Sequence, residues 1–311
     1  MCTALKYSHY FGRNLDYEIS YGEQIVIAPR QFKYHFSASK QYALIGMAHV
    51  YDNYPLFYDA MNEKGLAMAG LNFVGNTKFY KEREDKENVA PYDFIPWILS
   101  QCATMNEVKE KLDTINLIDK AFNEYFPVAQ LHYMISDQKT SLVIECMEDG
   151  MHIYENPVHV LTNNPPFPMQ MFNLNNYSYL SNKQPENTFG NVPLQNYSRG
   201  MGALGLPGDA SSMSRFVRAS FIAQQSTNDD FNQFFHILHS VEQQKGICEV
   251  KENTYEYTIY SSCCDLENKI YMYTTYHNHQ IHAVNLFHEN LDQENLVCYP
   301  LCDEEEVHTQ N

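Results

Sequence analysis

The chain has 311 residues, enough for one large domain or two ordinary ones, and its 44 % hydrophobic content, with 24 Tyr and 18 Phe, marks a folded, aromatic-rich globular protein. Acidic residues outnumber basic ones by 38 to 21, which argues against a nucleic-acid backbone or an anionic membrane surface as the main partner. No run approaches the roughly 18 apolar residues of a membrane span, and residues 2–13 lack the apolar stretch of an export signal, so a cytoplasmic protein is expected.

Residues 4–7, 23–28, 42–49 and 66–73 are short apolar runs broken by Gly-, Pro- or Asn-rich turns, and they read as strands. Asn62-Glu63-Lys64-Gly65 is a turn feeding one of them. Residues 92–101 carry Phe94, Ile95, Ile98 and Leu99 at helical spacing, and 105–112 repeat that pattern with charges between. Residues 131–144 return to strands about an Asp137-Gln138 turn, 151–161 continue them, and 169–180 suit a helix. The stretch 182–208 is polar and rich in Gly, Pro and Asn, which predicts a long surface segment of the kind that often carries function. Two helices are expected over 214–224 and 229–241, the second capped by Asp229, with Phe231, Phe234, Phe235 and Leu238 on one face. Residues 255–287 are strand-rich, with Tyr255, Tyr257 and Ile259 alternating and a turn at 265–268, and 302–311 form an acidic tail. This order lacks regular βαβ alternation and predicts an α+β layered fold with largely antiparallel sheets. No composition break marks a second domain, so residues 1–311 are read as one domain with an extended arm at 182–208.

The eight cysteines (Cys2, Cys102, Cys146, Cys248, Cys263, Cys264, Cys298 and Cys302) are too sparse and irregular for a disulfide scaffold. Cys298 with Cys302, and the trio His277, His279 and His282, match no standard zinc spacing. No metal and no cofactor is expected.

Cys2 is different in kind. Its small side chain lets a methionine aminopeptidase remove Met1, which would leave a cysteine at the N-terminus. A terminal cysteine carries its own base, because a free α-amine has a pKa of roughly 7.7–8.0 and is partly unprotonated at neutral pH. Downstream, Gly12-Arg13-Asn14-Leu15-Asp16 sets a cation and an anion three residues apart. An arginine beside a thiol favours thiolate, and a carboxylate beside an amine stabilises the ammonium formed when it takes the thiol proton. In a regular strand residues three apart point to opposite faces, so a bulge or turn beside Gly12 is expected to aim both at one site. Read in isolation, the two charges are a surface ion pair.

Met1-Cys2-Thr3-Ala4 followed by Phe11-Gly12-Arg13-Asn14-Leu15-Asp16-Tyr17-Glu18 resembles the opening of the choloylglycine hydrolase family. That family comprises bile salt hydrolases and penicillin V acylases, which are N-terminal-nucleophile hydrolases. Three later motifs match in order: Gly70-Leu71-Asn72-Phe73, Val160-Leu161-Thr162-Asn163, and Leu206-Pro207-Gly208 leading to Ser212-Met213-Ser214-Arg215-Phe216-Val217-Arg218. The resemblance implies a four-layer αββα sandwich of two antiparallel sheets and an amidase acting on conjugated bile acids. It makes Cys2 nucleophile and base together, sets Arg13 near the sulfur and Asp16 on the α-amine, and gives Asn72 to the oxyanion hole. Asn163 would orient amine and substrate, and Arg215 would complete the polar network. Penicillin V acylase activity, and a family-shaped binding protein without turnover, are the alternatives.

Asn72 leans toward bile salts, since some penicillin acylases similar to this family place tyrosine there. Tyr197-Ser198-Arg199-Gly200 resembles a motif associated with taurine preference, in which Arg199 would offer its guanidinium to a sulfonate or carboxylate. The steroid would lie on an apolar wall including Leu15 and, in the run 55–61, Phe57. A homotetramer is also implied, with 182–208 as an arm across a neighbour. Two departures concern details. The segment between Thr3 and Phe11 is short, which trims a hairpin, and Phe73-Val74-Gly75-Asn76 replaces the proline usual after Asn-Phe.

Overall fold

Strands dominate because apolar side chains alternate along most of the chain, and the computed structural model describes them in residues 1–38 and 41–311. β1 (Cys2–Tyr7) and β2 (Tyr10–Tyr17) form a hairpin closed by Ser8 and His9, with Ser8 at φ 52°. β3 (Gln24–Ala28), β4 (Leu44–Tyr51), β5 (Tyr54–Asn62) and β6 (Ala67–Asn72) follow as an antiparallel meander. A short parallel pair, β7 (Glu87–Val89) and β8 (Ile115–Leu117), brackets helices α1 (Phe94–Gln101) and α2 (Met105–Thr114). β9 (Leu131–Ser136), β10 (Ser141–Met147), β11 (Gly150–Glu155) and the two-residue β12 (Val160–Leu161) come next. Then come α3 (Phe167–Asn173), α4 (Ser212–Gln225) and α5 (Phe231–His239). β13 (Cys248–Lys251), β14 (Thr254–Asp265), β15 (Ile270–Thr275), β16 (His282–Asn285) and β17 (Val297–Pro300) complete the chain.

Among the described residues, all strands but the β7–β8 pair build two antiparallel sheets. One runs β12-β1-β2-β14-β15-β16 with β13 paired to β14, and the other runs β11-β10-β9-β6-β5-β4-β3-β17. The larger sheet is buried on both faces. Ile25 and Ile27 of β3, Met134 of β9 and Val143 of β10 belong to the core shared with the smaller sheet. Their neighbours Val26, Ala28, Ile135, Leu142 and Ile144 pack instead with the buried faces of α1 and α2. On the far side, α4 packs on β1 and α5 on β2 and β14. The order helix, sheet, sheet, helix is the αββα sandwich that the family resemblance implies.

The strands absent from the sequence reading include the short β7, β8, β13 and β17 and two long ones, β2 and β5. Arg13, Asn14 and Asp16 break the apolar pattern of the first, and Asp59 that of the second, yet all four side chains are buried. The helix expected over 169–180 is shorter: α3 stops at Asn173 and a 3-10 turn covers Leu174–Tyr177. Asn175 Nδ2 donates to the Phe172 carbonyl at 2.7 Å, a side-chain bond that competes with helix continuation. Residues 182–208 contain one 3-10 turn, Met201–Ala203, and are mostly exposed.

The cap of α5 is Asp230, whose Oδ1 accepts the Gln233 N–H at 2.8 Å, and not the expected Asp229, one residue too early to reach an open amide of the first turn. Replacing Asp230 by Ala should lower unfolding free energy by about 1 kcal/mol, whereas Asp229→Ala should leave it nearly unchanged in urea titrations. Asp93 ends the 3-10 turn Pro91–Asp93 before α1 and accepts a hydrogen bond from the Tyr54 hydroxyl. Burial pushes its carboxyl up to about 6, with Tyr54 and Lys120 offsetting only part of the effect. A carboxyl raised in the folded state binds protons more tightly there, so its contribution to stability is lost as pH rises from about 4 to about 6. The wild type minus Asp93→Asn difference in unfolding free energy should fall by about 2–3 kcal/mol across that window and stay flat above it.

Candidate active site

The site is organised by β2, which lies between β1 and β14. Residues directly opposite on antiparallel strands share a face, and Cys2 lies opposite Leu15 while Ala4 lies opposite Arg13. The Cys2 thiol, Arg13 and Leu15 therefore face the space between the sheets. Asn14 and Asp16 face the helices: Asn14 Nδ2 donates to the Leu238 carbonyl of α5 at 2.9 Å. No bulge sits beside Gly12, contrary to expectation. The register of β2 with β1 is unbroken, and the bulge lies in β14 between Thr258 and Tyr260. Gly12 matters in another way. A Cβ there would lie 1.9 Å from the Ser262 carbonyl oxygen, so only glycine allows β14 this close.

Arg13 reaches across to the larger sheet, where Nη1 donates to the carbonyls of Tyr58, at 3.1 Å, and Gly70. Its N–H donates to Ser262 Oγ at 3.1 Å. Burial opposes its charge, but Cys2, Tyr260, Asp59 and Asp16 outweigh that and hold the guanidinium above its ordinary pKa. Asp59 is fully buried and accepts hydroxyl hydrogens from Tyr260 and Tyr271, both at 2.7 Å, and from Ser262 at 3.3 Å. Burial raises its carboxyl, with Arg13 and the three donors offsetting part of the shift. The charge pair of residues 13 and 16 is thus not a surface ion pair.

On the helical side, Arg215 of α4 is fully buried and donates to four acceptors. These are the Cys2 carbonyl and Thr3 Oγ1, both at 2.6 Å, Asn163 Oδ1 at 2.8 Å and the Ala210 carbonyl at 2.9 Å. Asn163 Oδ1 also accepts the Cys2 N–H at 2.8 Å, and its Nδ2 donates to the Asn72 carbonyl at the end of β6, also at 2.8 Å. Asp16 Oδ1 accepts the Thr258 hydroxyl at 2.6 Å, while its buried Oδ2 has no hydrogen-bond partner and lies 4.0 Å from Arg215 Nη1. Burial raises the Asp16 carboxyl, opposed by Arg215, the α-ammonium and Thr258. Met1 extends the ladder: Asp16 N–H donates to its carbonyl at 2.9 Å, and its ammonium donates to the Asp16 carbonyl at 2.6 Å and to Glu256 at 2.7 Å.

Cys2, Arg13, Gly70 and Asn72 close one end of a cavity of about 460 Å³. Its walls are largely apolar, with Leu15 and Tyr17 from β2, Leu56 and Phe57 from β5, and Phe122 and Phe126 from the segment before β9. In the loop after Asn72, Gly75 takes φ +81° and donates its N–H to Gln130 Oε1 at 2.7 Å, so this turn closes without the proline.

The six residues Cys2, Arg13, Asp16, Asn72, Asn163 and Arg215 come together, and Leu15 and Phe57 line the cavity beside them. Arg199 does not join them: it is exposed in the 182–208 segment and lines no part of the cavity. Sequence reasoning missed Asp59, Thr258, Tyr260 and Tyr271. Asp59 left a signal, as the one charge in the apolar run 55–61. Among the described residues no group of three or more His, Cys, Asp or Glu side chains is placed to hold a metal ion, and no helix is long and apolar enough to cross a membrane.

Residues 2–299 match the model of the linear amide C–N hydrolases, choloylglycine hydrolase family. The chain is 51 % identical, over the full length of both, to a bile salt hydrolase/transferase of Lactiplantibacillus plantarum. The mutant C2A conjugated bile acid hydrolase of Clostridium perfringens superposes with a TM-score of 0.94 at 37 % identity, each chain fully covered. A penicillin V acylase of Agrobacterium tumefaciens, at 19 % identity and a TM-score of 0.75 over 96 % of this chain and 90 % of that one, shares the fold. This chain belongs to the choloylglycine hydrolase family and is an enzyme that cleaves linear amide C–N bonds.

Proposed function

We propose that this chain, once Met1 is removed, hydrolyses the amide bond of taurine- or glycine-conjugated bile acids with Cys2 as nucleophile. The observation that carries the reading is the split environment of Cys2. Its thiol face opens beside Arg13 into an apolar cavity, while its main-chain nitrogen is held by Asn163, which shares Arg215 with Asp16, whose buried Oδ2 accepts no hydrogen bond. A buried acceptor without a donor is costly, and an α-ammonium on Cys2 supplies one. The apolar walls of the cavity suit a bulky apolar acyl group, and the 51 % identical relative is named a bile salt hydrolase/transferase.

The reaction follows from these positions. The α-amine of Cys2 takes the thiol proton, and the sulfur attacks the amide carbonyl. The developing oxyanion is stabilised by the Asn72 side-chain amide and a backbone N–H. Asp16 stabilises the ammonium, Asn163 orients it, and Arg215 fixes the Cys2 carbonyl. The ammonium then gives its proton to the nitrogen of taurine or glycine as the C–N bond breaks, leaving a thioester. Water attacks the thioester, returns the proton to sulfur and releases the bile acid. An amine in place of water would take the same acyl group.

The reading extends to a cytoplasmic enzyme with one catalytic domain over residues 1–311 and a homotetrameric assembly. The exposed apolar side chains Phe189, Leu194 and Tyr197 of the 182–208 arm support assembly, since they have no cover within one chain. Arg199 would then meet conjugate anions from a neighbouring copy, not from its own chain. Sedimentation should give a species near four times 36.2 kDa, and a stable species at 36.2 kDa would count against assembly.

The deciding measurement compares taurocholate, glycocholate and penicillin V on Met1-processed enzyme. Bile salts should turn over fastest, taurocholate ahead of glycocholate, and Arg199→Ala should narrow the ratio between them. Faster hydrolysis of penicillin V would reverse the substrate assignment. Cys2→Ala and retention of Met1 should each abolish turnover, and Asn72→Ala should lower kcat by about 10²–10³.

A further inference from the structure

Between the sheets lies a second fully buried titratable pair, His132 and Glu145, that the proposed mechanism does not use. His132 of β9 sits opposite Leu71 of β6, and Glu145 comes from the adjacent strand β10. The imidazole is bound on both nitrogens. Nε2–H donates to the Thr162 carbonyl at 2.8 Å, and a carbonyl can only accept, so this nitrogen must carry hydrogen. Nδ1 lies 3.0 Å from Glu145 Oε1, with one proton between them. The Glu145 carboxylate also accepts the Phe167 N–H, at 3.0 and 3.2 Å, and so ties down the chain just beyond Asn163. One face of the ring stacks on Phe73, with centroids 4.3 Å apart and planes 4° from parallel.

The ring thus touches the residue before Asn163 and the residue after Asn72. Those two asparagines are joined by a single direct hydrogen bond, from Asn163 Nδ2 to the Asn72 carbonyl. We propose that His132, oriented by Glu145, is a positioning residue that fixes Asn163 and Asn72 relative to each other and to Cys2. The inference rests on the roles given above to Asn72 and Asn163. A hydrophobic residue of the same shape would fill the space but leave the Thr162 carbonyl buried without a donor. The segment carrying Asn163 would then relax, and a misplacement of about 1 Å at reacting groups costs about 10²-fold in rate.

The test uses His132→Phe, which keeps the stacked ring and loses both hydrogen bonds, His132→Gln, whose amide can still donate to Thr162, and Glu145→Gln. With glycocholate, His132→Phe should lower kcat about 10²-fold while KM changes less than about twofold, and His132→Gln should recover most of that loss. Side-chain amide resonances of Asn163 and Asn72, in protein labelled with ¹⁵N at asparagine, should shift in His132→Phe and return toward wild type in His132→Gln. Unchanged asparagine resonances, or kcat and folded fraction falling in parallel with no rescue by Gln, would overturn the proposal. If His132→Phe does not fold, the same two readouts on His132→Gln and Glu145→Gln decide it: kcat loss at constant KM with shifted resonances in Glu145→Gln supports positioning, and wild-type values in both variants refute it. A wild-type enzyme inactive on glycocholate would refute the substrate reading alone, because the resonance shifts are read without substrate.

Discussion

The structure depends on burying a charged strand at the centre of a β-sandwich. Arg13, Asn14 and Asp16 follow one another along β2, and none has appreciable solvent exposure. Removing an unpaired charge from water costs several kcal/mol even after relaxation, so the surrounding elements must supply partners from both sides. Carbonyls of β5 and β6 and the Asp59 carboxylate serve Arg13 across the sheet interface. Leu238 of α5 and Ser261 of β14 serve Asn14, and Thr258 and Arg215 serve Asp16.

The pleat turns this arrangement into a division of labour. Successive side chains on β2 alternate between the inter-sheet space and the helical layer, so the cation and anion next to Cys2 never compete for one position. The Cys2 sulfur lies on one face, and the asparagine that holds its main-chain nitrogen is tied to Arg215 of the helical layer on the other. The β14 bulge completes the separation. Without the extra residue, Thr258 and Tyr260 would share a face. With it, Thr258 reaches Asp16 among the helices while Tyr260 and Ser262 reach Asp59 between the sheets. A bulge on the neighbouring strand does what a distortion of β2 itself would otherwise have to do.

The cavity follows from the same frame. Beyond Leu15, aromatic side chains of the 119–130 region line the cavity, and there Phe122 packs against Tyr54 and Tyr92. The polar end of the cavity is built on strands and on the buried face of α4, whereas the apolar walls are partly loop. That places the polar groups most sensitive to displacement on the elements held by the most hydrogen bonds.

The sequence by itself determined the strand-helix-strand order, the α+β class and most element positions, because apolar alternation and helical spacing are local patterns. It also pointed to Cys2, Arg13, Asp16, Asn72, Asn163 and Arg215 through motifs that are contiguous in the chain. β2 and β5 escaped because the charges that make them important erase the apolar pattern by which strands are recognised. Which face each of those charges takes, and that Asp59, Thr258 and Tyr271 are their partners, was decided only by strand pairing and by the packing of one sheet on the other, which bring Thr258 to Asp16 and Tyr271 to Asp59 across more than two hundred residues. The same holds for Arg199: its motif is local, but its distance from the cavity is a property of where the 182–208 segment lies. Hydrogen-bond partners of a buried charge are chosen by strand register and layer packing, and neither is encoded in the residues flanking that charge.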